Sequence, residues 1–280
     1  MNDPLVMILI LLTTLVILQG CQCVDHQPTS RPRIVAHRGA SADAPENTIA
    51  SFRLGFERGA DAVEGDFQLT ADGHIVAMHD RTLSRTTGDP RATGTVTLAD
   101  LESLGAGNWG PWEGSVHVGE KIPTLPEVLE MIPEDRGLLI EIKDSDRIVP
   151  ILVRDLERSE IRRDRVTVIS FDRDVVAALK RSAPGWKTLW LTSFSKNTGT
   201  WGPTVEQVIE VARAIDADGV GVMAAPDVVD REFVDRVKSA GLEIHVWTVN
   251  EAELARDMKA IGVDSITTDR PSLIRKAIEP

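Results

Sequence analysis

The sequence is poor in cysteine, and this limits the kinds of site that the chain can hold. Its two cysteines, Cys21 and Cys23, both lie close to the N-terminus. No disulfide framework and no thiolate metal site can therefore form in the rest of the chain. The two residues are also too close in sequence to form an ordinary, unstrained disulfide.

Positive charge is also scarce. The 31 Lys and Arg residues face 43 Asp and Glu residues, which gives a formal net charge of -12. This balance argues against a bulk nucleic-acid binder, which would carry a basic footprint. An anionic small substrate is still compatible, because a bound cation or a local basic group can override the average charge. The length of 280 residues permits one large domain.

An apolar segment at the N-terminus indicates export. It runs from Leu5 to Leu18, which is long for a core strand and short for a comfortable membrane span. Asp3 precedes it, although a secretory signal normally starts with positive charge. The segment ends in Leu18-Gln19-Gly20-Cys21 and resembles a bacterial lipoprotein signal, in which the cysteine is lipidated and becomes the new N-terminus.

This resemblance implies a signal segment at 1–21, a tether at 22–32 and a folded domain at 33–280. The expected location is the cell envelope or periplasm, with a membrane anchor through lipidated Cys21. An uncleaved anchor and an ordinary secretory signal are the alternatives.

The folded domain alternates short apolar runs with helical patterns, which predicts an α/β fold of the (β/α)8 TIM barrel type. A further run at 75–78 is predicted to form a hairpin with the second strand. The predicted strands are 34–36, 62–69, 138–142, 166–170, 188–192, 219–223, 243–249 and 265–268. The predicted helices are 46–58, 125–131, 148–158, 173–181, 204–215, 227–240, 251–259 and 271–278.

Residues 84–121 interrupt this alternation and form an insertion after the second strand and its hairpin. They contain several glycines together with Trp109 and Trp112. Long insertions in compact domains usually serve or cover a site, although a surface excursion without function is the alternative.

Three carboxylates in predicted strands point to a metal site. Glu64 and Asp66 are two residues apart and therefore face the same side of a strand. Glu141 interrupts an otherwise apolar run, and a buried lone carboxylate is costly. Oxygen donors without cysteine suit Ca²⁺ or Mg²⁺ better than Zn²⁺. Salt-bridged charges inside the barrel are the alternative.

Two histidines follow predicted strands and could transfer protons. They are His37, at the end of the first strand, and His79, at the end of the hairpin. For either residue alone, the pattern favours a structural role over a catalytic one. The remaining histidines, His26, His74, His117 and His245, show no comparable polar context in the sequence.

An ordered set of motifs resembles the glycerophosphodiester phosphodiesterase family. The set runs from about Ile34 to Pro271 and therefore covers nearly all of the expected mature chain. Its blocks are His37-Arg38-Gly39-Ala40 with Pro45-Glu46-Asn47-Thr48, Val63 to Thr70 with His79-Asp80, Leu83 with Arg85 to Gly88, Ile122 to Leu125, Glu141-Ile142-Lys143, Val246 to Asn250 and Thr268 to Pro271.

The resemblance implies a metal-dependent enzyme that hydrolyses glycerophosphodiesters to glycerol 3-phosphate and an alcohol. It implies catalytic roles for His37 and His79, and one divalent cation, Ca²⁺ or Mg²⁺, held by Glu64, Asp66 and Glu141. Arg38 and Lys143 match positions that contact phosphate. Glu46 matches an acidic position near the metal that is sometimes a ligand. Trp247 could pack against the glycerol carbons or serve barrel packing.

Two other functions remain open from the sequence. A phospholipase-like enzyme acting on intact lipids or lysolipids would have an apolar rim, for which Trp109 and Trp112 are candidates. A non-catalytic surface binding protein with the same barrel would lack catalytic or metal-binding groups, yet those groups are present.

Overall fold

The computed structural model describes residues 31–279. Its strands are β1 (Arg33–Ala36), β2 (Ala62–Leu69), β3 (Ile75–Ala77), β4 (Gly137–Ile142), β5 (Val166–Ser170), β6 (Lys187–Thr192), β7 (Ser195–Asn197), β8 (Thr200–Gly202), β9 (Gly219–Met223), β10 (Glu243–Trp247) and β11 (Ser265–Thr268). Its helices are α1 (Ile49–Glu57), α2 (Ser84–Thr87), α3 (Leu98–Glu102), α4 (Leu125–Met131), α5 (Val149–Arg158), α6 (Arg173–Ser182), α7 (Val205–Ala214), α8 (Arg231–Ser239), α9 (Ala252–Ile261) and α10 (Pro271–Ile278).

The predicted (β/α)8 barrel is confirmed. Within the described residues, eight parallel strands pair in the order β1-β11-β10-β9-β6-β5-β4-β2, and the pairing of β1 with β2 closes the barrel. Strand β3 lies antiparallel on β2, as the hairpin prediction expected. The carboxyl ends of all eight strands therefore meet at one mouth, where such barrels place their chemistry.

Burial on both faces explains why a barrel strand such as β4 is a nearly continuous apolar run. All six residues of β4 are buried, and four of them are Leu or Ile. The inside of the barrel is filled by a small apolar cluster that includes Val35, Leu139, Ile169 and Leu189. This packing closes the barrel below the mouth.

Two predicted helix starts are wrong by three residues or more, those of α1 and α8, and the first of these errors concerns the mouth. Helix α1 begins at Ile49 rather than at 46, because Thr48 caps it and forms a capping box with Ser51. Glu46 therefore stays in a loop. Helix α8 begins at Arg231 rather than at 227, because the side chain of Asp230 caps it by accepting a hydrogen bond from the Phe233 amide.

A second hairpin, β7 with β8, lies between β6 and α7 and was missed in the sequence. Its strands are three residues each and mostly exposed, so they carry no hydrophobic alternation that would predict them.

The segment 84–121 folds into two short helices, α2 and α3, with further turns. It has a small core of its own, in which Leu83, Val96 and Leu101 pack with Val76 of β3. This core fixes the segment beside the strand end that carries His79.

The predicted signal segment and most of the predicted tether, up to residue 30, lie outside the described residues. Within residues 31–279, none of the helices is both long enough and apolar enough to cross a membrane.

Candidate functional site

A tight turn after β1 places His37 and Arg38 at the mouth. Arg38 has a φ of 54° and Gly39 a φ of 80°. A Cβ atom at Gly39 would lie 2.3 Å from the carbonyl carbon of Ser51 in α1, so only glycine fits there. The turn brings the Arg38 amide within 2.9 Å of Glu64, to which it donates a hydrogen bond.

The three predicted metal carboxylates meet at this turn. Glu64 and Asp66 lie on β2, and Asp66 stands opposite Glu141 in the register of β2 with β4. One oxygen from each side chain lies within 4.8 Å of the others, and all three residues are buried. The spacing of two residues on a strand, together with a parallel neighbour, thus produces one compact oxygen cluster.

This cluster concentrates negative charge on buried side chains. Burial and the charge of Asp66 raise the pKa of Glu64 to about 8. The same two causes raise the pKa of Glu141. Two cations offset part of this charge: Arg38 Nε lies 3.1 Å from Asp66, and Lys143 Nζ lies 2.8 Å from Glu141.

The donor set fits a hard divalent cation. Glu64 Oε1 and Asp66 Oδ1 are buried and have no hydrogen-bond partner among the described residues. Unpaired buried carboxylate oxygens are costly unless a charge compensates them. Oxygen ligands of this kind suit Ca²⁺ or Mg²⁺. Asn47 holds Asp66 in place, because its amide nitrogen donates to Asp66 Oδ2 at 2.9 Å.

Glu46, which the resemblance places near the metal and sometimes as a ligand, contacts two arginines. Arg38 Nη1 donates to it at 3.1 Å, and the two terminal nitrogens of Arg85 donate to its two oxygens at 2.7 and 2.8 Å. Burial alone would raise the pKa of Glu46, but these arginines outweigh burial and lower it. Glu46 is not one of the three clustered carboxylates.

His37 is held by a carboxylate from the opposite end of the sequence. Its Nδ1 lies 2.7 Å from Asp269, which also accepts hydrogen bonds from Ser41 and Asn250. Burial alone would lower the pKa of His37, but the bond to Asp269 and the charge of Glu64 raise it. Asp269 lies in the motif Thr268 to Pro271, but no role was predicted for it. The 232-residue separation gives no local signal for the pairing.

His79 has a similar partner close by in sequence. Its Nδ1 lies 2.7 Å from Asp80, whose pKa is lowered to about 2 mainly by the hydrogen bond from Arg85. In both histidines Nδ1 is engaged, which leaves Nε2 for proton transfer. A carboxylate on one ring nitrogen fixes the tautomer and orientation of an imidazole.

A cavity of about 230 Å³ joins these groups and is apolar on its far side. Trp247 packs edge-on against Phe171 at 5.4 Å, and Phe171 is 44% exposed at the opening. The cavity is lined by His37, Arg38, Glu64, His79, Glu141, Lys143, Phe171, Trp247 and further barrel residues. Phe171 was missed in the sequence because a single aromatic residue after a strand carries no distinguishing pattern.

The judgement that His245 lacks a polar context is wrong. Its Nδ1 lies 2.6 Å from Ser265 Oγ, and its Nε2 lies 3.1 Å from Glu243. It also lines the cavity. Both ring nitrogens have partners within the barrel, which is the pattern of a structural histidine.

Comparison with known proteins identifies the same group that the motifs resemble. The model of the glycerophosphoryl diester phosphodiesterase family matches residues 37–273. A glycerophosphodiester phosphodiesterase of Caldanaerobacter subterraneus is 34% identical over 254 residues, covering 87% of this chain and 98% of its own length. One from Bacillus subtilis is 31% identical over 258 residues, covering 86% of this chain and 85% of its own length.

A solved structure supports the same family assignment. An Oleispira antarctica phosphodiesterase in complex with the product sn-glycerol-3-phosphate matches with a TM-score of 0.77 and 30% identity. The match covers 89% of this chain and 98% of that one.

The raised pKa of Glu64 predicts a pH-dependent stability of the metal-free protein. A carboxyl group whose pKa is higher in the folded state stabilises the fold fully below its ordinary pKa of 4.5, and this contribution is lost as pH rises through about 8. In chelator, we expect the melting temperature to fall between pH 5 and 8, and to fall more steeply for wild type than for Glu64→Gln. Adding Ca²⁺ or Mg²⁺ should raise the melting temperature of wild type again, because the cation offsets the clustered charge.

Glu130→Gln, at an exposed position on α4, is the matched control and should keep the wild-type slope. Equal slopes for wild type and Glu64→Gln would contradict the role assigned to Glu64.

Proposed function

The chain belongs to the glycerophosphoryl diester phosphodiesterase family, and from this premise we propose that it uses one divalent cation, Ca²⁺ or Mg²⁺, to hydrolyse glycerophosphodiesters to sn-glycerol 3-phosphate and an alcohol. As a member of this family it is a phosphodiesterase. The proposed setting is the catabolism of phospholipid headgroups. The observation that carries the proposal is the buried carboxylate cluster, of which Glu64 and Glu141 line one cavity with two histidines, each held by an aspartate.

The cation-binding residues in this proposal are Glu64, Asp66 and Glu141. When bound, a divalent cation there would supply Lewis-acid polarisation of the phosphodiester. The chain's own cations would bind the remaining phosphate oxygens: Arg38 through its planar guanidinium and Lys143 as a point charge. Both residues line the cavity. Trp247 and Phe171 form the apolar wall against which the glycerol carbons would pack.

The two histidines would divide the proton transfers. The hydrogen bond to Asp269 and the charge of Glu64 raise the pKa of His37 and so favour its protonated form, and we therefore assign His37 as the acid that protonates the leaving alkoxide from Nε2. His79 would take the proton from the nucleophile, which is water or a glycerol hydroxyl. The bond from phosphorus to the alcohol oxygen breaks, a bond to the nucleophile forms, and one water is consumed overall.

Intact lipids or lysolipids are the second candidate substrates. Val116 is 95% exposed and Val118 is 52% exposed in the segment 84–121, which provides some apolar surface. The tryptophans expected at the rim are largely engaged within that segment. Trp109 donates to the Ala106 carbonyl, and Trp112 packs against His117. We therefore propose soluble glycerophosphodiesters, rather than intact lipids or lysolipids, as the substrates.

A substrate panel tests the proposed reaction. We expect turnover of glycerophosphocholine and glycerophosphoethanolamine, with sn-glycerol 3-phosphate released, loss of activity in excess chelator, and recovery with Ca²⁺ or Mg²⁺. Coupled detection of glycerol 3-phosphate measures this, with intact lipids and lysolipids as comparison substrates. Turnover of lysolipids alone would favour the second candidate, and full activity after verified metal removal would refute the cation.

The histidine assignment predicts a leaving-group effect. His37→Ala and His79→Ala should each lower kcat for a natural glycerophosphodiester by at least about a hundredfold, because each removes one proton transfer. A p-nitrophenyl ester of glycerol phosphate needs little protonation of its leaving group. It should therefore partly restore His37→Ala and not His79→Ala.

Metal affinity, measured by calorimetry, should be retained in both variants. His74→Ala, whose side chain is half exposed in a turn, is the control and should keep wild-type kcat. Restoration of His79→Ala instead would exchange the two roles. Loss of metal affinity in either variant would make that histidine a ligand or its support.

We also propose that the protein is a membrane-anchored lipoprotein, exported and attached through Cys21. The support is the sequence of the N-terminal segment alone. Protein recovered from membranes should begin at a lipidated Cys21 by mass spectrometry, and Cys21→Ser should move it to the soluble fraction. Cys23→Ser is the matched control and should leave the anchor in place. Recovery of wild-type protein with Met1 intact would contradict processing.

A further inference from the structure

Arg85 joins two parts of the site that lie far apart in sequence. Its Nε donates to Asp80 Oδ2 at 2.7 Å, and the other oxygen of Asp80 bonds His79 Nδ1. Its two terminal nitrogens donate to Glu46, and Glu46 accepts a further bond from Arg38. The guanidinium of Arg85 thus connects His79, through Asp80, with Arg38, through Glu46.

The fork of the guanidinium suits this arrangement better than any other side chain would. Arg85 uses its Nε on one carboxylate and both terminal nitrogens on the other, so its plane fixes the two acids relative to each other. A lysine carries the same charge but cannot reproduce three bonds in one plane.

The two histidines differ in how their aspartates are held. Asp269, beside His37, receives hydrogen bonds from the uncharged side chains of Ser41 and Asn250. Asp80, beside His79, is held by a charged guanidinium. The orientation of His79 therefore depends on a group that the orientation of His37 does not need.

The local fold keeps Arg85 in place. It lies on α2, which is anchored by buried Leu83 and Thr86. The helix ends at Gly88, whose backbone is left-handed. On its outer side the guanidinium stacks at 5.2 Å from the ring of Trp109. The segment 84–121 thus reaches the site through this arginine.

We propose that Arg85 is a positioning residue for the phosphodiester hydrolysis proposed above. It holds Asp80 against His79 and Glu46 against Arg38, and it therefore sets the geometry in which His79 meets the nucleophile. The proposal rests on that function. Arg85 is not among the residues that line the cavity, so it acts through its two acidic partners rather than by touching substrate.

This placement predicts a loss in kcat with little change in KM. Partners that orient a catalytic or metal-binding group typically cost about ten- to a hundredfold in activity when removed. We expect Arg85→Gln to lower kcat by about that factor while KM stays within about threefold. Arg85→Lys should lose at least about fivefold, because the charge alone does not fix both acids.

Arg91→Gln is the matched control. Arg91 lies in the same segment, has a similarly exposed side chain and likewise forks onto two acids, Asp89 and Asp100, which do not line the cavity. It should keep kcat within about twofold of wild type, as surface substitutions away from a site do. Melting temperatures of both variants show whether either change unfolds the protein.

A mutant cycle tests whether Arg85 acts through its partners. In a background of Asp80→Asn with Glu46→Gln, Arg85→Gln should change kcat by no more than about twofold, because the groups it holds have been altered. The cycle uses a p-nitrophenyl phosphodiester so that slow variants remain measurable. The proposal would be overturned if Arg85→Gln lowered kcat by the same factor in this background as in wild type. It would also be overturned if Arg85→Gln kept kcat as Arg91→Gln does, or if Arg85→Lys kept wild-type kcat.

Failure of the proposed substrate class is a separate outcome. If wild type cleaves only the synthetic phosphodiester and no glycerophosphodiester, the proposed substrates are wrong. The Arg85 comparison can then still be completed on the synthetic substrate, and its result supports or overturns the positioning role by the same criteria.

Discussion

The site depends on the burial of three carboxylates at one mouth of the barrel. Glu64, Asp66 and Glu141 are buried and repel one another, and their arrangement is stable only if positive charge compensates it. Arg38 and Lys143 supply part of that charge. The carboxylate oxygens that have no hydrogen-bond partner among the described residues are the reason for proposing a divalent cation. The same positive charges are what a phosphodiester would meet on entering the cavity.

The barrel makes this concentration of charge possible. An apolar cluster fills the lower lumen, and the helices cover the outer faces of the strands, so most of the chain has no part in the chemistry. The stability of this scaffold can offset the cost of a strained and highly charged mouth. The left-handed backbone at Arg38 and Gly39 is one place where the fold carries such strain.

Hydrogen bonds around the cavity then give each functional group its orientation. Asp269 fixes His37, Asp80 fixes His79, and Asn47 fixes Asp66. Arg85 links two of these arrangements and brings the segment 84–121 into contact with the site. This segment therefore contacts the site through one side chain. Its small core holds the helix that carries Arg85.

The sequence by itself determined the barrel and most of the groups at its mouth. Strand and helix alternation is local, and the spacing of Glu64 and Asp66 places both on one face whatever the rest of the chain does. Only the tertiary structure decided which charges meet. Asp269 reaches His37 across 232 residues, and Glu46 bonds arginines because α1 begins three residues later than its pattern predicted. Such pairings depend on loop conformation and chain closure, which leave no periodic signal in the sequence.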